Sequence, residues 1–300
     1  MKKLQGVITA MTTPFLANGE VDFEALKQNV DWQISKGIDC LYPCGTTGEM
    51  NLMSEEQRKA VAETVVKQAA GRVTVYIHCG ASKEDEAVRL AQHACEIGAD
   101  GVGIVTPSYF HLSERMMVEY YKRICDQLPD GFPVYVYVIP QCAANDVTGE
   151  TMQCIADACS KNVVGVKYSF ADMRRLMDYL KVNDGTFSVV FGPDDLFLPG
   201  LVLGIDGTVS GCASCMPEPF VEVLKLFREG KLEEAKKAQF FCTDMVRALR
   251  GGSDMSIFKN IQKYRGISGG VMHKPLLDLL PEEETAMLER MKPYLEKVGK

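Results

Sequence analysis

The chain lacks the features that mark a secreted, membrane or nucleic-acid-binding protein. No apolar run approaches the length of a membrane-spanning helix, and Met1-Lys2-Lys3-Leu4 is not followed by the apolar segment of a signal peptide. Positive charge is in deficit, because the formal net charge is −7, which argues against a nucleic-acid or anionic-membrane surface. We therefore expect a cytoplasmic protein that has neither a membrane nor a nucleic acid as its partner.

Patterns typical of metal sites and disulfides are also missing. The chain has four histidines without ligand spacing, which are His78, His93, His111 and His273. The 11 cysteines are odd in number and scattered, and most lie in apolar runs, so we expect reduced, buried thiols. Cys212 and Cys215 have C-x-x-C spacing, but a single such pair is a poor indication of zinc. We therefore predict no metal cofactor.

Apolar, strand-like stretches alternate with helix-like stretches at a fairly even period. The eight predicted strands span residues 6–11, 39–43, 73–78, 101–105, 133–138, 163–167, 187–191 and 207–210. Eight β/α units are the number that closes a parallel barrel. A doubly wound open sheet is the main alternative, but no G-x-G-x-x-G pattern follows the first strand. The pattern predicts an α/β fold, the TIM (β/α)8 barrel.

The character of the chain changes after the eighth unit. Residues 232–249, 256–264 and 282–295 predict helices with no strand between them. A segment of this length is too short to form a large core of its own. We therefore expect a barrel over residues 1–225 and a C-terminal helical segment, residues 226–300, that packs on it.

Serines mark the beginnings of several predicted helices. Ser54 and Gln57 have the spacing of a capping box. Ser82 and Ser113 each precede a helical pattern, and we expect both to be N-caps.

A lysine, Lys167, ends the apolar sixth strand, whose composition is typical of a strand buried on both faces. Its ammonium would lie close to a dry interior, where desolvation lowers the pKa and leaves a nucleophilic amine. Such an amine is what Schiff-base chemistry with a carbonyl substrate requires. A lysine that extends from the strand end into solvent is the structural alternative for this stretch.

Other reactive side chains follow different strands of the predicted barrel. In a barrel of this type the active site lies at the carboxyl ends of the strands. The residues that the pattern places there, besides Lys167, are Thr46, Thr47, Tyr109, Tyr137, Asp194 and Asp195.

Three motifs carry a resemblance to a known family. They are Gly45-Thr46-Thr47-Gly48-Glu49, Tyr137-Val138-Ile139-Pro140 and Gly165-Val166-Lys167. In that order and on those strands, they resemble the family of dihydrodipicolinate synthase and N-acetylneuraminate lyase, the pyruvate-dependent class I aldolases. The resemblance covers essentially the full length of the chain.

The resemblance implies roles for the residues of these motifs. Lys167 would form an imine with the keto group of pyruvate, without a metal or a nucleotide. Tyr137 would be the general acid/base, with a pKa lowered by its closeness to an iminium-forming lysine. Thr46 and Thr47 would bind the pyruvate carboxylate in the turn that Gly45 begins. Tyr109 matches a family tyrosine that joins the proton relay, often from a neighbouring subunit, which implies a homo-oligomer, a dimer or tetramer.

The second half of the substrate is less well determined by the motifs. The synthase branch has an arginine where this chain has Cys142, and a thiol cannot replace a guanidinium in binding a carboxylate. The lyase branch has Gly-x-Asp-Glu after the seventh strand, and this chain has Gly192-Pro193-Asp194-Asp195, while Ser169 suits hydroxyl recognition.

The resemblance thus implies an aldolase or lyase that acts on a 2-keto-3-deoxy sugar acid or a sialic-acid-like compound. Its products would be pyruvate and an aldehyde. A dihydrodipicolinate synthase that condenses pyruvate with aspartate semialdehyde, a dehydratase of a keto-deoxy sugar acid and a non-catalytic keto-acid-binding protein are the alternatives.

Overall fold

The computed structural model describes residues 2–250 and 255–299. Eight parallel strands form a closed barrel in chain order, and β8 pairs with β1. The strands are β1 (Gly6–Ala10), β2 (Cys40–Tyr42), β3 (Thr74–His78), β4 (Gly101–Val105), β5 (Val134–Val138), β6 (Val163–Tyr168), β7 (Ser188–Phe191) and β8 (Gly207–Ser210). The predicted (β/α)8 barrel with C-terminal helices is confirmed.

Helices surround the barrel and extend beyond it. They are α1 (Phe23–Ser35), α2 (Glu55–Ala69), α3 (Glu84–Glu96), α4 (Glu114–Cys125), α5 (Pro140–Ala143), α6 (Gly149–Ala158), α7 (Met173–Tyr179), α8 (Phe197–Leu203), α9 (Glu218–Arg228), α10 (Leu232–Ala248), α11 (Met255–Tyr264) and α12 (Pro281–Val298). Within the described ranges, no helix combines the length and the apolar character needed to cross a bilayer.

The predicted helix caps are confirmed at two of three positions. Ser54 and Gln57 form the capping box of α2, and the Ser113 hydroxyl accepts a hydrogen bond at the beginning of α4. The prediction for Ser82 is wrong, because α3 has Lys83 at its N-cap position. The Ser82 hydroxyl lies 3.1 Å from that of Ser108, so it bonds across to the loop after β4 instead of capping its own helix.

The barrel interior is packed solid by tyrosines that face glycines on other strands. A Cβ at Gly103 on β4 would lie 1.8 Å from the Tyr42 hydroxyl, and one at Gly165 on β6 would lie 2.5 Å from the Tyr135 ring. The large inward side chains therefore fit because glycines, which have no side chain, lie opposite them, as close packing requires. This filled interior closes the barrel beneath Lys167.

Among the C-terminal helices, α10 packs on the β7–β8 side of the barrel. Helix α10 contacts α8, α9 and the turn at Asp194–Leu196, and α12 contacts α10 and α11. The predicted division of the chain after residue 225 falls inside α9, and we keep it as a proposal.

Candidate active site

The Lys167 side chain lies inside the barrel between two tyrosine rings. Its Nζ is 4.2 Å from the centroid of the Tyr42 ring and 3.8 Å from that of Tyr137. The residue is 3 % exposed, and burial lowers the pKa of the amine to about 7. The predicted lowering of the pKa is therefore confirmed, and the alternative of a lysine that extends into solvent does not apply.

Tyr137 lies opposite Lys167 in the β5–β6 pairing. Its hydroxyl is 3.4 Å from the Thr46 hydroxyl. Burial raises the pKa of Tyr137 to about 12, although hydrogen bonds with Thr46 and Ser169 act in the opposite direction. The predicted lowering is wrong for the free site, because desolvation of the phenolate outweighs these hydrogen bonds.

A second inward tyrosine on β5, Tyr135, has a structural role. Its hydroxyl donates to Ser188 Oγ at 2.7 Å and accepts from the Leu4 backbone N–H at 3.1 Å. These bonds hold it in the closed end of the barrel. The motif therefore selected the tyrosine that reaches the amine.

The two threonines lie in a compact turn after β2. The N–H of Gly48 donates to the carbonyl of Gly45, and the N–H of Glu49 donates to the carbonyl of Thr46, both at 3.0 Å. Thr46 and Thr47 line the cavity above Lys167, whereas Gly45 closes the turn without lining it. The turn is thus tied by its own backbone and presents two hydroxyls to the cavity.

The cavity above the amine has a volume of about 670 Å³ and opens at the carboxyl ends of the strands. It brings most of the predicted site residues together, which are Thr46, Thr47, Tyr137, Lys167, Ser169, Gly192, Asp194 and Asp195. A site of this size accommodates a small organic substrate.

The two acids after β7 differ in their surroundings. Asp195 is exposed, whereas burial raises the pKa of Asp194 to about 6. The Ser210 hydroxyl and the Cys212 thiol lie near this carboxyl and act on its pKa in the opposite direction. Within the described residues, its buried Oδ1 nevertheless accepts no hydrogen bond of normal geometry. An acceptor in this state is available to a hydroxyl of a bound molecule.

Tyr109 does not approach the amine within one chain. Its side chain is 85 % exposed, and its ring meets that of Phe110 edge-on with 5.1 Å between the centroids. Its φ of 76° is unusual for a residue with a side chain, so the loop holds the ring outward at a conformational cost. A role at Lys167 would require a second chain.

The sequence interpretation missed one wall of the cavity. Thr243, Val246 and Arg247 of α10 and Met255 of α11 line it, although they lie far along the chain from every motif. Tyr42 was also missed, although the alternation along β2 places it on the inward face.

Three cysteines discussed in the sequence analysis lie in or near this site. Cys142 lines the cavity from α5, and burial raises the pKa of its thiol. Cys212 and Cys215 are buried, and the Cys215 thiol donates to the Cys212 carbonyl at 3.4 Å. Across residues 2–250 and 255–299, no three His, Cys, Asp or Glu side chains converge where they could hold a metal ion.

The site is of the class I aldolase type. It combines a buried amine of near-neutral pKa, a turn with two threonine hydroxyls and a phenol at the mouth of a (β/α)8 barrel. The model of the dihydrodipicolinate synthetase family matches residues 3–293, and the chain belongs to this family. Its members are pyruvate-dependent carbon–carbon lyases and aldolases.

Proteins named for different activities are similar to the chain over most of its length. The 4-hydroxy-tetrahydrodipicolinate synthase of Aquifex aeolicus is 33 % identical over 97 % of both chains. A probable 2-dehydro-3-deoxy-D-pentonate aldolase of Escherichia coli K12 is 37 % identical over 78 % of both. A solved structure of a Ruminococcus gnavus sialic acid aldolase with a mutated catalytic lysine has a TM-score of 0.91, with 27 % identity over 99 % of both chains.

The shifted pKa of Lys167 predicts how the reactivity of its amine depends on pH. Only the neutral amine reacts with a neutral acylating reagent, so below pH 7 its reactivity rises about tenfold per pH unit and then levels off. Competitive labelling with acetic anhydride, read by peptide mass spectrometry, measures this profile. Lys161 is the internal control, because its exposed ammonium has a raised pKa and stays protonated far above neutrality. A Lys167 profile that follows that of Lys161 would contradict the assignment.

Proposed function

We propose that the protein is a pyruvate-dependent Schiff-base aldolase that cleaves or forms a 2-keto-3-deoxy sugar acid or a sialic-acid-like compound. The products of cleavage would be pyruvate and an aldehyde. The observation that carries the proposal is the Lys167 amine, which lies between two tyrosine rings on the cavity floor and has a pKa of about 7. No metal and no nucleotide takes part in the proposed reaction.

In the proposed reaction, the neutral Lys167 amine attacks the keto carbon, and the carbinolamine loses its hydroxyl as water by taking the phenolic proton of Tyr137, which leaves a protonated imine beside a phenolate. Tyr137 then accepts the proton of the substrate hydroxyl, the carbon–carbon bond breaks, and the aldehyde leaves. The bonding electrons form an enamine, whose carbon takes the proton back from Tyr137, and hydrolysis releases pyruvate and restores the neutral amine and phenol. The iminium supplies a positive charge that the free site lacks, so we expect the pKa of Tyr137 to fall once it forms.

The keto-acid half of the substrate would bind at the turn after β2. Thr46 and Thr47 line the cavity there, and Thr46 contacts Tyr137, so the carboxylate-binding and proton-transfer groups are adjacent. Hydroxyl and backbone N–H donors are suitable partners for a carboxylate.

The polyhydroxy half would bind at the β7 side of the cavity. The unpartnered oxygen of Asp194 is a ready acceptor, and Ser169 and Asp195 provide further polar groups beside it. A Cβ at Gly192 would lie 2.3 Å from the Ser169 hydroxyl, so the glycine makes room for this side chain. Acceptors of this kind favour a sugar acid over an apolar aldehyde.

A dihydrodipicolinate synthase is the second candidate. The position of the synthase arginine is occupied by Cys142, but Arg247 lines the same cavity from α10. Its guanidinium is 3.7 Å from Asp244 and largely exposed, so it could turn toward a second carboxylate such as that of aspartate semialdehyde. A dehydratase shares the imine and differs in its product, and a binding protein would form the imine without turnover.

We also propose that the protein is a homo-oligomer in the cytoplasm. Tyr109 and Phe110 expose two adjacent aromatic rings, which is typical of a protein–protein interface. A second copy would cover them and could deliver Tyr109 to the neighbouring site. All eleven cysteines are free, in agreement with a reducing compartment.

Reduction of the protein with borohydride in the presence of pyruvate tests the imine. We expect one reduced pyruvate adduct, on Lys167, because among the lysines of residues 2–250 and 255–299 this amine alone combines burial in the cavity with a near-neutral pKa. Peptide mass spectrometry locates the adduct, and Lys167→Ala is the control. Folded protein that gives no adduct at saturating pyruvate would refute the enzymatic proposal.

Replacement of Asp194 by Asn tests the proposed binding site for the polyhydroxy half of the substrate. The amide keeps the shape but loses the charged acceptor, so kcat/KM for cleavage of a sugar acid should fall about ten- to hundredfold, while pyruvate trapping is unchanged. Pyruvate release is measured with 2-dehydro-3-deoxy-pentonate and N-acetylneuraminate. Asp195→Asn is the matched control with a smaller expected effect, because water already competes for that exposed carboxylate. Condensation with aspartate semialdehyde that exceeds every cleavage activity would favour the synthase instead.

Removal of the exposed rings of Tyr109 and Phe110 tests whether they form the interface of an oligomer. The double variant Tyr109→Ala/Phe110→Ala should sediment as a smaller species than the wild type and lose turnover, since the covered apolar surface and the relay hydroxyl both disappear. Tyr109→Phe is the matched control, which should keep the oligomer and lose only turnover. A wild-type protein that sediments as a monomer would contradict this proposal.

A further inference from the structure

A buried carboxylate lies directly behind the turn that carries Thr46 and Thr47. Glu49 ends this turn in a left-handed backbone conformation, with a φ of 60°, which costs free energy in a residue with a Cβ. One carboxylate oxygen is 2.5 Å from Lys259 Nζ, and the other accepts the backbone N–H of His273 at 2.8 Å. The two charged side chains are 0 % and 2 % exposed, so the turn rests on a fully buried ion pair.

Lys259 belongs to α11, far along the chain from the turn. Its ammonium also donates to the carbonyl of Val271 at 2.7 Å and faces the ring of Phe15 at 4.8 Å. Val271 in turn donates its N–H to the carbonyl of Phe15 at 2.9 Å. The loop after β1, the turn after β2 and the segment after α11 therefore meet at one ion pair.

Stability alone does not account for two charges at this place. A buried ion pair is expensive to desolvate, and neutral side chains of similar volume are often as stabilising. The position of the ion pair suggests a second role for the two charges. Glu49 is bonded through its own N–H to the carbonyl of Thr46, so any movement of the carboxylate moves the residue that faces the cavity.

The charge of Lys259 has a second consequence for an anionic substrate. A lone carboxylate behind the turn would repel a substrate carboxylate in front of it through a medium of low dielectric constant. Lys259 neutralises Glu49 at 2.5 Å and leaves the donors of the turn free to attract an anion.

We propose that Glu49 and Lys259 are a positioning pair through which the C-terminal segment holds the Thr46–Thr47 turn in the geometry that binds the carboxylate of the keto acid. This inference rests on the proposed function, because it concerns the same site. Neither residue touches the substrate; both act through the turn.

The test distinguishes an effect on the turn from an effect on the amine and from a loss of overall stability. Lys167 is trapped with cyanoborohydride at increasing concentrations of pyruvate, and in parallel with acetone, a ketone that has no carboxylate. The variants are Lys259→Met and the double variant Glu49→Gln/Lys259→Met. A matched control, Glu218→Gln/Arg265→Met, removes another, partly buried ion pair, which joins the end of α11 to α9 away from the cavity.

We expect the half-saturating pyruvate concentration to rise at least about tenfold in Lys259→Met, where an unpaired carboxylate remains behind the turn. The double variant should regain an unfolding midpoint near that of the wild type but keep a raised half-saturating concentration. Trapping by acetone should be unchanged in both. The control pair should lower the unfolding midpoint and leave both trapping curves unchanged.

Any of three results would overturn the inference. A folded double variant that traps pyruvate like the wild type would show that the pair has no positioning role, and an equal loss with pyruvate and acetone would assign the effect to the amine. Should the double variant not fold, Lys259→Arg keeps the ion pair with a longer, planar group and should raise half-saturation for pyruvate alone; an unchanged value overturns the inference equally. Wild-type protein that traps acetone but not pyruvate would instead refute the proposed function.

Discussion

An amine is nucleophilic near neutral pH only where water cannot stabilise its charged form, and this requirement explains the construction of the barrel around Lys167. Tyrosines from neighbouring strands fill the interior beneath the amine, and glycines such as Gly103 and Gly165 make room for them. Two of these rings lie about 4 Å from Nζ, where their faces favour a cation while their bulk excludes water. Burial of the amine lowers its pKa to about 7.

The dry site also explains why Tyr137 begins with a pKa opposite to the predicted one. A neutral lysine and a neutral phenol can share a low-dielectric cavity at little cost, whereas an ammonium and a phenolate would both need solvation. On the cavity floor, charge enters only with the substrate, as its carboxylate and then as the iminium. Burial also raises the pKa of Asp194, but a pKa of about 6 still leaves this carboxyl largely ionised at pH 7. Burial thus favours neutral forms around the amine, whereas the β7 side of the cavity keeps a charged acceptor.

The features predictable from sequence were those encoded locally. Each strand is a short apolar run with its own turn signals, so their number and the strand-end position of Lys167 could be found without tertiary knowledge. Ser82 was misassigned because its cap competes with Ser108, a contact between two loops that no local pattern records. The pKa of Tyr137 and the cavity wall formed by Arg247 depend on which distant segments pack together, and the role predicted for Tyr109 requires a second chain.

The C-terminal helices, which looked like an appendage in the sequence, support both halves of the candidate site. At the keto-acid half, Lys259 of α11 holds Glu49 behind the threonine turn. At the opposite side, Gln239 of α10 donates to the carbonyl of Asp194 at 3.0 Å and accepts the N–H of Leu198 at 2.9 Å, which fixes the turn that carries the acid. Eight β/α units therefore supply the amine and the phenol, but the groups proposed to bind the rest of the substrate are oriented from outside the barrel. Variation in these helices could change substrate preference while the imine chemistry stays the same, which would account for a family whose members differ in substrate on one fold.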